Sequence, residues 1–138
     1  MSVENGELHR RVVEAFNKRD VDGIVALCDP QIELNSAVTV SVYHGHDGVR
    51  RWHRDLAEAF GDDFWIEPNA YYDLGEHTLT QHVLHGRGRQ SGVDVAEPFA
   101  HVHRWRNGLT IHFKAYTGRE DALSDLGVSE DGVEPIDP

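Results

Sequence analysis

Residues 93–117 read VDVAEPFAHVHRWRNGLTIHFKAYT, and this stretch decides the fold class. Apolar and polar side chains alternate along two runs, 93–106 and 109–117, and this is the periodicity of half-buried strands. The Asn107-Gly108 pair between the two runs is a strong signal for a tight turn. The stretch therefore predicts a hairpin of two long strands.

Two further runs with the same alternation precede this hairpin, near 62–73 and 76–89. The pairs Leu74-Gly75 and Ser91-Gly92 follow them, as expected for turns between neighbouring strands. Because consecutive strands joined by short turns usually pair with each other, the second half of the chain is predicted to be an antiparallel meander.

The first half of the chain has the periodicity of amphipathic helices, with short strands expected near 31–36 and 41–43. Three helices are predicted there and a fourth after the last strand. Their apolar faces carry Leu8, Val12, Ala15 and Phe16; Val21, Ile24, Val25 and Leu27; Val49, Trp52, Leu56, Ala59 and Phe60; and Ala122, Leu123 and Leu126. Helices that precede a long antiparallel sheet pack on it from one side, which predicts an α+β fold.

The chain is predicted to form one domain over residues 1–127, because 138 residues can bury one sizeable core but not two. Residues 128–138 are acidic and end in proline. This tail is therefore expected to be disordered.

Composition excludes several classes of partner. The formal net charge of −11 opposes a phosphate backbone, so nucleic acid is not an expected partner. Hydrophobic residues make up 39% of the chain in short, interrupted runs, and none can span a membrane. The acidic N-terminus does not resemble a secretory signal, and the single Cys28 cannot form an internal disulfide. A cytoplasmic location is predicted.

The odd-numbered residues of the 93–106 strand are bulkier and more apolar than the even-numbered ones, so they are predicted to face inward. The register of the following turn decides which face of the 109–117 strand joins them. A two-residue turn at Asn107-Gly108 pairs Arg106 with Leu109, whereas a three-residue loop pairs Trp105 with Leu109. The three-residue loop is favoured because it separates polar from apolar side chains better. It places inside the residues Phe99, His101, His103, Trp105, Leu109, Ile111, Phe113 and Ala115, and outside Arg104, Arg106, Thr110, His112 and Lys114.

The turn at Ser91-Gly92 leaves a similar choice for the preceding strand. If Gln90-Ser91-Gly92 is a three-residue loop, the inward residues are Leu79, Gln81, Val83 and His85. Gln81 then lies opposite His101. A two-residue turn brings Thr80 and His82 inward instead.

Two imidazoles, those of His101 and His103, are thus predicted among apolar side chains. An imidazole titrates near neutrality, so it can take a proton from a carbon acid or a hydroxyl and return it elsewhere. We expect His101 to accept or donate the proton, His103 to assist, and His85 to be a third candidate. The structural alternative is that both imidazoles only bond to water or backbone. A metal site would need a converging third ligand from Glu97, His85 or Glu33, and neither a metal nor a cofactor is expected.

Four motifs are distributed along the chain: N-x-x-D-x-D-G at 17–23, Y-x-G-x-x-G-V at 43–49, GRGRQSG at 86–92, and FKAY at 113–116 followed by REDAL at 119–123. With the order of elements, they resemble the SnoaL-like branch of the nuclear transport factor 2-like superfamily over roughly residues 5–126. The resemblance implies a cystatin-like fold, in which a cone-shaped, curved, antiparallel or mixed sheet wraps around three helices and encloses a hydrophobic cavity.

The superfamily includes ketosteroid isomerase, polyketide cyclases and scytalone dehydratase, which implies a small hydrophobic or polyketide-like ligand. In an alignment with ketosteroid isomerase, its general-base Asp falls near Asn35, its oxyanion-binding Asp near His101 and its Tyr donor near Val12. None of the three residue types matches. An amide cannot abstract a proton at ordinary pH, so steroid isomerisation is disfavoured and Asn35 is expected to orient the ligand.

We expect the cavity to be lined by Val12, Phe16, Trp52, Phe60, Gln81, Phe99, Trp105 and Phe113. The outer sheet face, with Ala100, Val102 and Tyr116, is expected to meet its copy in a homodimer, an arrangement common in the superfamily. The leading hypothesis is a small-molecule-binding domain acting as a cofactor-independent acid–base enzyme of the isomerase, cyclase or dehydratase type. The competing hypothesis is a non-catalytic ligand-binding or dimerisation domain of the same fold.

Overall fold

The order of helices and strands follows the prediction. The computed structural model describes residues 2–37, 39, 41–61 and 63–135. Its elements are α1 Ser2–Asn17, α2 Val21–Ala26, β1 Cys28–Asn35, β2 Val42–His44, α3 Gly45–Phe60, β3 Phe64–Leu74, β4 His77–Arg87, β5 Asp94–Arg106, β6 Leu109–Tyr116, α4 Arg119–Leu126 and a 3₁₀ turn at Glu130–Gly132. Within these ranges no helix is both long enough and apolar enough to cross a membrane.

The six strands form one mixed sheet in the order β2-β1-β6-β5-β4-β3. Neighbouring strands are antiparallel except β1 and β6, which run parallel and pair Leu34 with Phe113. Helices α1, α2 and α3 pack against the inner face of this sheet, and α4 packs on the outer face. The predicted α+β class, with a sheet wrapped around three helices, is confirmed.

The main core fills the space between α1, α2, α3 and the inner face. Its aromatic centre is made by Phe16 of α1, Trp52 of α3 and Phe64 of β3, all buried. Phe16 lies 5.8 Å from Trp52 and 5.4 Å from Phe64 between ring centroids. These contacts bury the apolar stripes of two helices against the sheet, as their periodicity predicts.

A second, smaller core lies on the outer face. Ala100 and Val102 of β5 are buried there beneath Ala122 and Leu123 of α4. These two strand residues are therefore covered by their own chain and do not form the exposed patch on which the predicted homodimer was based. Association through the rest of the outer face remains a prediction.

The preferred register of the last hairpin was wrong at the turn. Arg106 pairs with Leu109, so Asn107-Gly108 is a two-residue turn, and Trp105 pairs with Thr110. A bulge at Ile111 then shifts the pairing. Beyond the bulge, Phe113 and Ala115 share the inward face with His101 and His103 as predicted, but the pairs differ from the preferred register: His103 pairs with Phe113, and His101 with Ala115. Thr110 faces inward, contrary to the prediction, because the tight turn and the bulge both act on β6.

The connection between β4 and β5 is a loop of residues 88–93, longer than either predicted turn, because Arg87 pairs with Asp94. Its register brings Thr80 opposite His101 and His82 opposite Phe99. The inward residues of β4 are thus those of the two-residue alternative. Gln81, His85 and their neighbours of the same parity face outward.

Residues 128–135 of the tail contact the domain. Val128 and Val133 pack against the outer-face core, and Pro135 forms an isolated bridge with Tyr72 of β3. A 3₁₀ turn lies between them, and the Ser129 hydroxyl accepts a hydrogen bond from the Asp131 amide. Residues 136–138 of the segment predicted to be disordered lie outside the described residues.

Asn17 joins the end of α1 to β3. Its Nδ2 donates to the Ile66 carbonyl, and its Oδ1 accepts from the Ile66 amide, both at 2.8 Å. Ile66 is buried in the main core. The amide side chain therefore satisfies a donor and an acceptor of β3 at once and holds α1 over the inner face.

We predict that Asn17→Ala lowers the free energy of unfolding by about 1 to 3 kcal/mol, since it leaves two backbone groups of Ile66 without their partner. Asn17→Asp should also destabilise, because a carboxylate keeps the acceptor but cannot donate to the Ile66 carbonyl. Urea denaturation measures both effects. Asn5→Ala on the same helix is the control, since Asn5 makes a single exposed 3.4 Å bond to the Gly75 carbonyl. Equal losses for Asn17→Ala and Asn5→Ala would contradict the assignment.

Candidate functional site

Two small chambers lie between the helices and the inner face of the sheet. The first, which we call the His82 chamber, has a volume of about 20 Å³, and the second, the His103 chamber, about 30 Å³. Each has room for about one water molecule. They share part of their lining, namely Phe16, Trp52, Ile66, His101 and Phe113.

The lining of each chamber is mainly apolar. Ser36, Ala37, Leu56, His82, Leu84, Phe99 and Ala115 complete the His82 chamber. His9, Val12, Val13, Ile24, Cys28, Ile32, Leu34 and His103 complete the His103 chamber. Among these described lining residues there is no Asp, Glu, Lys or Arg. The polar chemistry of both chambers therefore depends mainly on imidazoles.

Four histidines form one cluster at these chambers: His9 on α1, His82 on β4, and His101 and His103 on β5. The ring centroids of His82 and His101 are 4.0 Å apart, and those of His9 and His103 are 4.6 Å apart. Phe113 packs edge-on against His101 at 4.7 Å and lies 4.8 Å from His103. Strand alternation explains the pair on β5, while the pairing of β4 with β5 adds His82.

His9 is held by hydroxyl groups on both sides of its ring. Its Nδ1 lies 2.7 Å from Thr78 Oγ1, and its Nε2 forms a short hydrogen bond with Thr80 Oγ1. Trp105 Nε1 donates to the same Thr78 hydroxyl at 2.8 Å. Because both nitrogens have partners, His9 supports the cluster and offers no free nitrogen to a ligand.

His103 is held on one side only. Its Nδ1 lies 2.9 Å from Thr110 Oγ1, and this hydroxyl in turn lies 3.1 Å from the backbone carbonyl of His112. A carbonyl oxygen can only accept, so the single hydroxyl hydrogen of Thr110 goes to His112. In this arrangement His103 donates from Nδ1 and keeps a lone pair on Nε2.

His82 has no such support. Its side chain is 1% exposed, and neither ring nitrogen forms a hydrogen bond with any described residue. The Thr80 carbonyl is near enough to influence its pKa but does not form a hydrogen bond of ordinary geometry. An unpaired polar group in a buried site is costly, so His82 is the feature of this interior that most needs an explanation.

Burial holds all four imidazoles in the neutral form near pH 7. It lowers the pKa of His82 to about 4 and that of His103 to about 3, the latter with a further contribution from His112. The pKa values of His9 and His101 lie well below 6.5, first because of burial and then because neighbouring imidazoles repel a second positive charge. Each ring therefore presents one N–H donor and one lone pair.

The structure places some predicted site residues at the two chambers and others away from them. His101, His103, Val12, Phe16, Trp52, Phe99 and Phe113 line the chambers. Trp105 is buried beside His103 at a centroid distance of 5.2 Å but lines neither chamber. Phe60 packs near Phe64 at 6.3 Å and is also outside the lining.

Three predicted site residues face outward. Asn35 donates to Glu33 on the outer face and lies 3.3 Å from His112 Nε2. Asn35, which was expected to orient a ligand, lines neither chamber, because its neighbours of opposite parity, including Leu34, carry the inward side chains of β1. Gln81 bonds to Tyr72, an outer-face residue.

His85 is the third of these residues. It stacks on the half-exposed Trp65 at 4.4 Å and binds Glu67 at 2.9 Å. His85 is on the outer face because of the register of β4. Glu67 of β3, which pairs with Val83 of β4, lies on the same face. His85 and Glu33 thus do not converge on His101, and Glu97 is exposed. In the described ranges, no three or more His, Cys, Asp or Glu side chains are arranged to hold a metal ion.

Sequence reasoning missed His9 and left His82 as an alternative. His9 precedes Val13 by four residues and Phe16 by seven, the spacing of one helix face, so helical periodicity carried a signal for it. For His82 no local signal decided between the two alternatives, because the parity of β4 that faces inward depends on the register across the 88–93 loop.

Comparisons with known proteins agree with this architecture. The sequence profile of the SnoaL-like domain family matches residues 9–113. No curated protein sequence matches the chain significantly.

Similar solved structures include a nuclear transport factor 2-like protein of unknown function from Burkholderia pseudomallei K96243 (21% identity, 88% of this chain and 95% of that one, TM-score 0.75). A ketosteroid isomerase-like fold from Catenulispora acidiphila DSM 44928, in complex with trimethylamine, has 15% identity over 96% and 98% of the two chains and a TM-score of 0.74. TerC co-crystallised with polyporic acid has 17% identity over 89% and 97%, with a TM-score of 0.73. At these identities the likeness shows the fold, which is nuclear transport factor 2-like.

We predict that the free energy of unfolding falls as pH decreases from 6.5 towards 4. Above pH 6.5 the four histidines are mainly neutral in both the folded and the unfolded chain. Below pH 6.5 the unfolded chain binds protons that the folded cluster does not bind, so the free energy of unfolding decreases. Each histidine contributes about 1.4 kcal/mol per pH unit within this window. His82→Leu should flatten the dependence by about that amount, as measured by urea denaturation at several pH values. A stability that does not change between pH 6.5 and 5 would refute the buried neutral cluster.

Proposed function

Because the chain belongs to the SnoaL-like domain family, we propose that it binds a small, mainly apolar organic molecule in its interior cavity and moves a proton on it without a cofactor. The reaction class is isomerisation, cyclisation or dehydration. His101 accepts or donates the proton, and His82 takes the orienting role that was expected of Asn35.

The observation that carries this proposal is the unpaired His82 beside His101. Leaving a buried polar group unsatisfied costs about 1 to 3 kcal/mol, and the His82 ring has two such nitrogens. A ligand with an oxygen or nitrogen function supplies the missing partner. The ring centroids of His82 and His101 are 4.0 Å apart, so both imidazoles can contact the same ligand atom.

The neutral state of the rings suits proton transfer between neutral partners. A neutral imidazole accepts a proton on its lone pair and donates its N–H elsewhere. In the apolar chamber an imidazolium is unfavourable in isolation, but a negative charge developing on the substrate stabilises it. The proton is therefore taken up only while the substrate carries the opposite charge.

The size of the ligand that can bind depends on the residues that line both chambers. Neither chamber alone holds more than about one water molecule, so a substrate must displace side chains that both chambers share. Trp52 and Phe113 are the large aromatic residues among them besides Phe16. A ligand that moves them joins the chambers into one apolar site with imidazoles along it. Two of the similar structures hold organic molecules, trimethylamine and polyporic acid, which supports this class of ligand.

A second candidate is a non-catalytic binding domain of the same fold. It is favoured by the lining of the chambers, which has no carboxylate among its described residues. The lowered pKa values of the imidazoles also make them weak bases in the empty protein. Under this alternative the same histidines only hydrogen-bond the ligand.

We predict that the protein catalyses exchange of deuterium from D₂O into a C–H group next to a carbonyl, followed by proton NMR on a panel of small cyclic ketones and 1,3-diketones. His101→Ala should reduce this exchange by about 10²- to 10⁴-fold, the usual contribution of a general acid–base group. His82→Leu should reduce it as well, since it removes the second imidazole of the pair.

His85→Ala is the matched control, because it removes a histidine from the outer face of the same strand as His82. It should leave the exchange rate unchanged. Ligand binding without exchange, in the wild type and all variants, would overturn the catalytic proposal and leave the binding domain.

A further inference from the structure

We propose that the His103 chamber selects ligands that carry an acidic O–H group, bound in their protonated form with the hydroxyl donating to Nε2 of His103. The ligand class is a phenol, an enol or an undissociated carboxylic acid. This proposal rests on the binding half of the proposed function and does not depend on catalysis.

The first step of the argument is the direction of the hydrogen bonds at Thr110. Its hydroxyl lies 3.1 Å from the His112 carbonyl with the geometry of a hydrogen bond, and only the hydroxyl can supply the hydrogen of that bond. Thr110 then has no hydrogen left for His103, 2.9 Å away, and must accept from Nδ1–H. Thr110 is thus a positioning residue that holds His103 as the Nδ1–H tautomer.

The second step is what this tautomer presents to the cavity. Nε2 of His103 carries a lone pair and forms no hydrogen bond with a described residue. The side chain is 4% exposed, and it lines the chamber. A lone pair attracts a donor and repels an anion or a carbonyl oxygen. His103 therefore discriminates between a hydroxyl and its ether or its anion.

The other histidines do not share this fixed polarity. Both nitrogens of His9 are occupied by Thr78 and Thr80, whose hydroxyls can donate or accept. Neither His82 nor His101 forms a hydrogen bond with a described residue that would fix its tautomer. Nε2 of His103 is therefore the acceptor whose direction the protein itself determines.

The third step is the charge around the chamber. None of its described lining residues is a Lys or Arg that would neutralise an anion. The titratable groups near His103 come from α1, β1, β4, β5 and β6; they are His9, Cys28, His82, His101 and His112. Burial raises the pKa of the Cys28 thiol to about 12, so it stays uncharged. An apolar site without a counter-charge strongly disfavours a bare anion, so an acid enters with its proton.

The tautomer is tested on the free protein by nitrogen-15 NMR of histidine side chains at pH 7.5. The wild type should show His103 protonated on Nδ1 only. Thr110→Ser, which keeps the hydroxyl, should keep this signature, whereas Thr110→Val should shift the ring towards a mixture of both tautomers. Finding His103 protonated on Nε2 in the wild type, or no change in Thr110→Val, would overturn the positioning role.

The ligand class is tested with 4-nitrophenol and its methyl ether, 4-nitroanisole, as matched probes. At the pH at which half of the free phenol is ionised, binding should decrease the yellow phenolate absorbance, and the dissociation constant should rise tenfold for each further pH unit. The ether should bind at least tenfold more weakly, and Thr110→Val should weaken phenol binding while Thr110→Ser retains it.

Equal affinity for the two probes, an increase of the phenolate colour on binding, or failure of the phenol to bind at millimolar concentration would overturn the assignment. The result is separate from that of the deuterium-exchange assay. A protein that binds the phenol in its protonated form but catalyses no exchange keeps the ligand assignment and loses the catalytic one.

Discussion

Thr110 and Phe113 are three residues apart in β6, a separation that places side chains on opposite faces of a regular strand. Here both face inward, because the bulge at Ile111 adds one residue between the pair Trp105–Thr110 and the pair Arg104–His112. The site depends on this extra residue. It lets the hydroxyl of Thr110 hold His103 while the ring of Phe113 packs against His101 and His103, and no bulge-free register provides both contacts.

The cluster of neutral histidines is maintained against a desolvation cost. Burial removes the imidazoles from water, and the positive charge that any one of them takes up raises the cost for the others. The surrounding structure offsets part of this cost at His9 and His103 through threonine hydroxyls. At His82 it does not. The ring of His82 therefore needs a hydrogen-bond partner that the described residues do not supply.

The segment of strand β5 from Phe99 to His103 is covered on both faces, and this explains much of the architecture. Its odd-numbered residues from Phe99 to Trp105 face the helices, while Ala100 and Val102 lie under α4. A strand covered on both sides is positioned more tightly than one with a solvent face. The histidines on β5 are therefore held between two layers of packing, with α4 acting as the outer support.

The sequence by itself determined the element order, the α+β class, the inward direction of His101 and His103, and the apolar stripe that contains Phe16 and Trp52. These features depend on periodicity and turn composition, which are local. The tertiary structure alone decided that His82 faces inward and that Asn35, Gln81 and His85 face outward. Strand faces alternate every residue, so one added residue in a loop or a bulge exchanges them, and the energy that selects the register comes from packing between segments distant in the chain.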